Sequence, residues 1–202
     1  MTKNNDPKTL AQLITCLSIL ENDTAMLYTA LSSKITLPLV KSLLRSIAND
    51  SLKHSTLLKG VAKSIAEIKD NFRYCEKKGG EVWRYVAEYS KEIASKEKFT
   101  EEEMSQLSEK LAFFESAMGE EYYVFVQIKT LQLMMKEINK IYNIDLGNLK
   151  NIFIQIINDE EHHREILETI KSIFNRHPEP QNTPLVKYQN PDAWSRPLHQ
   201  TT

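Results

Sequence analysis

Apolar residues recur at helical spacing through most of the chain. Leu10, Leu13, Leu17, Leu20, Thr24, Leu27 and Leu31 line one stripe, which predicts a first helix over about 8–33. A break at Ile35-Thr36-Leu37-Pro38 follows, and Pro38 suits the first turn of a second helix. That helix, extending to about Asp70, carries Leu43, Ile47, His54, Leu58 and Val61 on one face. So short a break permits only an antiparallel hairpin. Residues 71–100 form a long connection with Gly79-Gly80 and then a helix through 81–88. Thr100 and Glu103 make a capping box that opens a third long helix, striped by Leu107, Leu111, Phe114, Met118, Phe125, Ile128, Met135 and Ile138. A break over 143–147 precedes a fourth helix from about Asn148 to Asn175.

The expected class is therefore all-α: two antiparallel hairpins joined by a long crossover that contains an extra helix. After His177 the pattern ends, and five of the chain's seven Pro fall among Gln, Asn, Thr and Ser. The division expected is a helical bundle over 1–177 and an extended or disordered tail over 178–202, where Tyr188 and Trp194 offer docking groups.

Composition narrows the function classes. A formal net charge of -1 gives no ground for a nucleic-acid partner or a charged membrane surface. The first helix is amphipathic, with Glu21, Asn22, Asp23 and Lys34 interrupting its apolar residues, and does not read as a membrane span. No signal-peptide pattern opens the chain. Cys16 and Cys75 follow no metal or disulfide spacing, so they read as small hydrophobes or inert thiols in a reducing compartment. A cytoplasmic protein is expected.

The chemistry lies in the segment Asn158-Asp159-Glu160-Glu161-His162-His163. Glu160 and His163 stand three residues apart, so a helix projects them from one face. Glu161 and His162 fall out of that register and read as solvated. An offset of 109 places the second helix on the fourth and matches Ile47 to Ile156, Asn49 to Asn158, Asp50 to Asp159, His54 to His163 and Leu58 to Leu167. Amphipathicity alone does not duplicate Asn, Asp and His. In the odd helices Glu21 precedes Tyr28 by seven residues, as Glu115 precedes Tyr122.

On these four short segments the chain resembles the ferritin-like di-iron carboxylate family, which includes rubrerythrins and bacterioferritins. The resemblance implies a ferritin-like four-helix bundle over about 8–175, each half giving a Glu from one helix and a Glu-x-x-His from the next. It implies Glu21 and His54 at one metal, a third-helix Glu with His163 at the other, and Glu160 bridging. Asp50 and Asp159 resemble the family's Asp that holds a metal-bound His, and Tyr28 resembles its tyrosine near the site. Iron is the implied cofactor, as two ions or one, with manganese or zinc as alternatives. The implied activity is reaction with O2 or hydrogen peroxide, as a peroxidase or ferroxidase in oxidative-stress defence, with an electron donor that the residues do not name. Dimerisation is the default for a bundle.

The pattern departs from the family in two places. Ser51 stands where the second bridging Glu is expected, and serine is a poor ligand for Fe(II) or Mn(II). The third-helix ligand is also open. Glu115 satisfies the repeat with Tyr122, whereas a tight hairpin favours Glu121, with Glu120 behind. A bundle that lost its metals, or holds one, and acts as a scaffold or metal-binding protein is the competing reading. His177 and His199 have no partner set.

Overall fold

The computed structural model describes residues 7–68, 74, 75, 77, 80–127 and 147–175, with side chains over 121–127 and 147–150 left aside. These residues form five helices and no strand: α1 Pro7–Ser33, α2 Pro38–Ile65, α3 Gly80–Ser95, α4 Glu101–Gln127 and α5 Gly147–Asn175. The predicted tail, with His177 and His199, lies outside the described residues, as does the stretch 128–146.

Helices α1 and α2 pack along their length, as do α4 and α5, while α3 lies against α1 and α4, and α2 touches α5. Register is antiparallel in each long pair. In the first, Ser18 and Ser55 exchange hydroxyl-to-carbonyl hydrogen bonds of 2.8 Å. In the second, Ser105 donates to Asn175 at 2.6 Å, Lys171 meets Glu109 at 3.2 Å, and Glu115 meets His163 at 3.4 Å. The core is aliphatic and aromatic, built from residues such as Leu27, Leu31, Leu44, Ile47, Leu58, Leu111, Phe114, Phe153, Ile156 and Leu167. Burial of this kind stabilises by about 25 cal/mol per Å² of apolar surface.

Local chemistry explains the ends. Pro38 opens α2, where its missing N–H costs nothing. The reciprocal bonds of the Thr100 and Glu103 capping box are present, at 2.9 and 3.2 Å. Lys34 closes α3 by donating to the carbonyls of Ile93 and Lys96. Gly80, at φ +62°, takes the left-handed conformation that begins α3.

Three expectations are corrected. Helix α2 stops at Ile65 rather than near Asp70, because Ala66 turns extended once Ile65 has made the last fully buried contact of the stripe. The connecting helix is longer than 81–88, because Val82, Trp83, Val86, Tyr89 and Ile93 carry a buried face through to Ser95. Cys16 and Cys75 are joined in a disulfide. Their sequence separation of 59 hid the pairing, which arises because the chain beyond α2 returns against α1. It removes the ground on which a reducing compartment was expected. No helix among the described residues is long and apolar enough to cross a membrane.

Candidate metal centre

Five titratable side chains that ordinarily seek water are buried together at the middle of the long helices. Glu21 comes from α1, His54 from α2, Glu115 from α4, and Glu160 and His163 from α5, each no more than 1% exposed. Their donor atoms fall into two groups, Glu21–His54–Glu160 and Glu115–Glu160–His163, with Glu160 in both. Three oxygen and nitrogen donors converging in each group can hold a metal ion.

The geometry is nearly two-fold. His54 Nδ1 lies 3.3 Å from Glu160 Oε1 and 3.5 Å from Glu21 Oε1. His163 Nδ1 lies 3.4 Å from Glu115 Oε2 and 3.6 Å from Glu160 Oε2. Each ring thus turns its Nδ1 inward, and the ring centroids are 6.0 Å apart. The outer nitrogens face aspartates of the opposite hairpin: His54 Nε2 is 2.9 Å from Asp159 Oδ2, and His163 Nε2 is 3.7 Å from Asp50 Oδ2. Lys53 Nζ stands 2.9 Å from both aspartates and ties them together. A recess of about 300 Å³, lined by Lys53, His54, Leu57, Ile156 and Asp159, opens beside this rim.

Register on the third long helix, α4, brings Glu115 to the cluster. Glu115 is fully buried, and Tyr28 donates its hydroxyl to Glu115 Oε1 across the two hairpins. Glu120 is exposed. Glu121 lies about 9 Å further along α4 at 1.5 Å per residue, and its side chain is outside the described residues. Equal spacing from the turn favoured Glu121, but the pairing of Glu109 with Lys171 and Glu115 with His163 runs in one register that brings Glu115 to the cluster. Glu161 and His162 face solvent, Glu161 bonded to Arg164 and His162 lying 3.6 Å from Glu165.

Burial and crowding set the charges. Burial opposes charge on the imidazoles, but the carboxylates around them outweigh it, raising His54 to about 10 and His163 to about 11. Glu160 is pushed up to about 8 by burial and by the charges of Glu21 and Glu115. Burial would also raise Glu115, yet His163 and its hydrogen-bonding neighbours hold it below the usual range. Tyr28 is driven well above 10 by burial and the Glu115 charge. Without an ion, protons bind the cluster together.

The fit to cations shows in the orphaned atoms. His54 Nδ1 and Glu160 Oε1 are buried without a hydrogen bond although only 3.3 Å separates them. Neither makes a well-aligned hydrogen bond, and a desolvated polar atom left so is costly unless something fills the space between them. A divalent ion in each group would be that partner, held by Glu21, His54 and Glu160 on one side and Glu115, His163 and Glu160 on the other.

Three contributors escaped the sequence pattern. Lys53 sits one residue before His54 and carried no signal of its own. The bond from Tyr28 to Glu115 joins different hairpins, which no spacing reveals. Gly119 did leave a trace, because a glycine inside a helix costs about 1 kcal/mol relative to Ala and calls for a packing reason. A Cβ there would stand 3.5 Å from Glu160 Cβ, so α4 passes close to the central carboxylate.

No family model, curated protein or solved structure matches the chain.

Proposed function

We propose that the chain is a ferritin-like four-helix bundle whose buried carboxylates and imidazoles hold two iron ions, and that it reacts with O2 or hydrogen peroxide. The single observation that carries this reading is the position of Glu160, whose two carboxylate oxygens face His54 and His163 respectively. A carboxylate between two such donor groups is suited to bridge two cations. Bound iron would supply one-electron chemistry toward the oxidant, with electrons from an external donor. The chain's own part is to fix five donors, keep water from the interior and hold the His54 imidazole by the outer Asp159. Tyr28, bonded to Glu115, keeps that carboxylate oriented. Peroxidase or ferroxidase turnover is the output we assign, in a protective role against oxidants, with manganese or zinc as alternative occupants.

Ser51 favours a second reading. It leaves five protein donors, which a protein binding one ion, or serving as a scaffold, could retain. Metal analysis after anaerobic reconstitution with Fe(II) separates the two. Two ions per chain, and none in Glu160→Ala, are expected. One ion supports the single-metal protein, and none, with melting unchanged by added metal, overturns both metal readings. Peroxide consumption by the loaded protein, lost in Glu160→Ala, then distinguishes an enzyme from a binder.

A further inference from the structure

The pseudo-two-fold arrangement leaves one position without a counterpart. It relates His54 to His163, Glu21 to Glu115 and Asp50 to Asp159, and it relates Glu160 to Ser51. Ser51 is 1% exposed and lies three residues before His54 on α2, as Glu160 lies three before His163 on α5. Where one half places a carboxylate between the donor groups, the other places only a short hydroxyl.

That hydroxyl is withheld from the helix. Thr15 and Ser108 return their buried hydroxyls to Ala11 and Met104, each one turn back, and Ser18 and Ser55 donate theirs to carbonyls of the facing helix. Ser51 Oγ makes no such bond and has no partner. Thr24 Oγ1, fully buried one turn beyond Glu21 on α1, is likewise without one. Two buried hydroxyls, one of them at the position that lacks its carboxylate, are therefore left desolvated, which is costly unless an acceptor arrives.

Charge points the same way. Two divalent cations among Glu21, Glu115 and Glu160 leave one uncompensated positive charge in an apolar interior. The outer rim does not cancel it, because Asp50, Asp159 and Lys53 are 33%, 35% and 49% exposed and screened by water. A single small anion carrying two oxygens on one carbon would restore neutrality and replace the missing bridge.

We infer that the gap at Ser51 binds a small monoanionic oxyanion of the formate, acetate or bicarbonate class, which spans the two metal positions opposite Glu160 and accepts a hydrogen bond from Ser51 Oγ. The inference rests on the two-metal reading above. It makes occupancy of the second metal position depend on an anion from solution, a dependence that a fourth protein carboxylate would abolish.

The test is titration of the full chain with Co(II) in bicarbonate-free chloride buffer, alone and with millimolar formate, acetate or bicarbonate, followed by Co(II) absorption and melting temperature. With at least one of the three anions, affinity for the second ion should rise about tenfold or more with a change in the Co(II) bands; the strongest responder names the source, and chloride alone should do nothing. Ser51→Glu should bind both ions with no anion required. Ser51→Ala keeps the gap but loses the donor, so its anion response should persist at weaker affinity; it also serves if Ser51→Glu does not fold. Two ions bound equally with and without anion by the natural chain overturn the inference while leaving the two-metal reading intact. Absence of metal under every condition overturns both.

Discussion

His54 Nε2 lies 2.9 Å from Asp159 Oδ2, so an imidazole on α2 is held by a carboxylate on α5. The aspartate next to Glu160 thus steadies a ring on the other hairpin, and Asp50 approaches His163 in the reverse sense at 3.7 Å. The bracing is asymmetric: His54 is hydrogen-bonded from the helix that does not carry it, whereas His163 Nε2 has an aspartate nearby but no hydrogen bond.

Asp159→Asn should therefore weaken metal binding about 10- to 100-fold, because an imidazole deprived of its outer carboxylate loses orientation and basicity. The effect should be larger than that of Asp50→Asn, whose contact is longer. Competitive titration against a chelator measures both; equal losses would show that the shorter contact has no special role.

Glu115→Gln should remove one metal ion per chain, whereas Glu120→Gln, on the exposed face, should leave binding unchanged. Metal analysis of the two variants after identical reconstitution decides between them. Retention of both ions by Glu115→Gln would move the third-helix ligand elsewhere, with Glu121 next to be tried.

The metal-free protein should lose stability as pH rises. His54 and His163 titrate higher in the folded chain, at about 10 and 11, so the stability they contribute is complete below about pH 6.5 and is lost toward pH 10–11. Glu160, raised to about 8, acts in the same direction between about pH 4.5 and 8. Glu115 is depressed, so its contribution is lost as pH falls through the acid range. Denaturant melts of chelator-treated protein should show a maximum near pH 5–6 and a loss of about 2 kcal/mol or more by pH 9. Metal affinity should move oppositely, because ions displace the imidazole protons. A flat stability profile from pH 6 to 9 would contradict the buried charge assignment.

Reduction of the Cys16–Cys75 disulfide should destabilise the chain. The bond joins positions 59 apart in sequence, and chain-entropy reasoning sets its contribution at about 4 kcal/mol. Cys16→Ser and Cys75→Ser should each lower the melting temperature to that of the reduced natural protein, with no further loss on adding reductant. Intact mass with and without alkylation reads the pairing directly.

Much of this protein was legible in one dimension. Scarce Gly, Pro confined largely to the last segment and the Leu and Ile stripes determined the helices, because helical periodicity depends only on neighbours within a turn or two. Glu160 and His163 sharing a face, and the echo of that face at His54, follow from the same local repeat. The helix that opens at Thr100 announced itself by its capping box. What crosses between helices was decided by tertiary structure alone. The phase of α4 against α5 selects Glu115 over Glu120. The return of the chain beyond α2 brings Cys75 to Cys16. Packing of one hairpin on the other pairs Tyr28 with Glu115 and His54 with Asp159. No local period carries that phase, since it is set by how whole side-chain surfaces interlock across long stretches of chain.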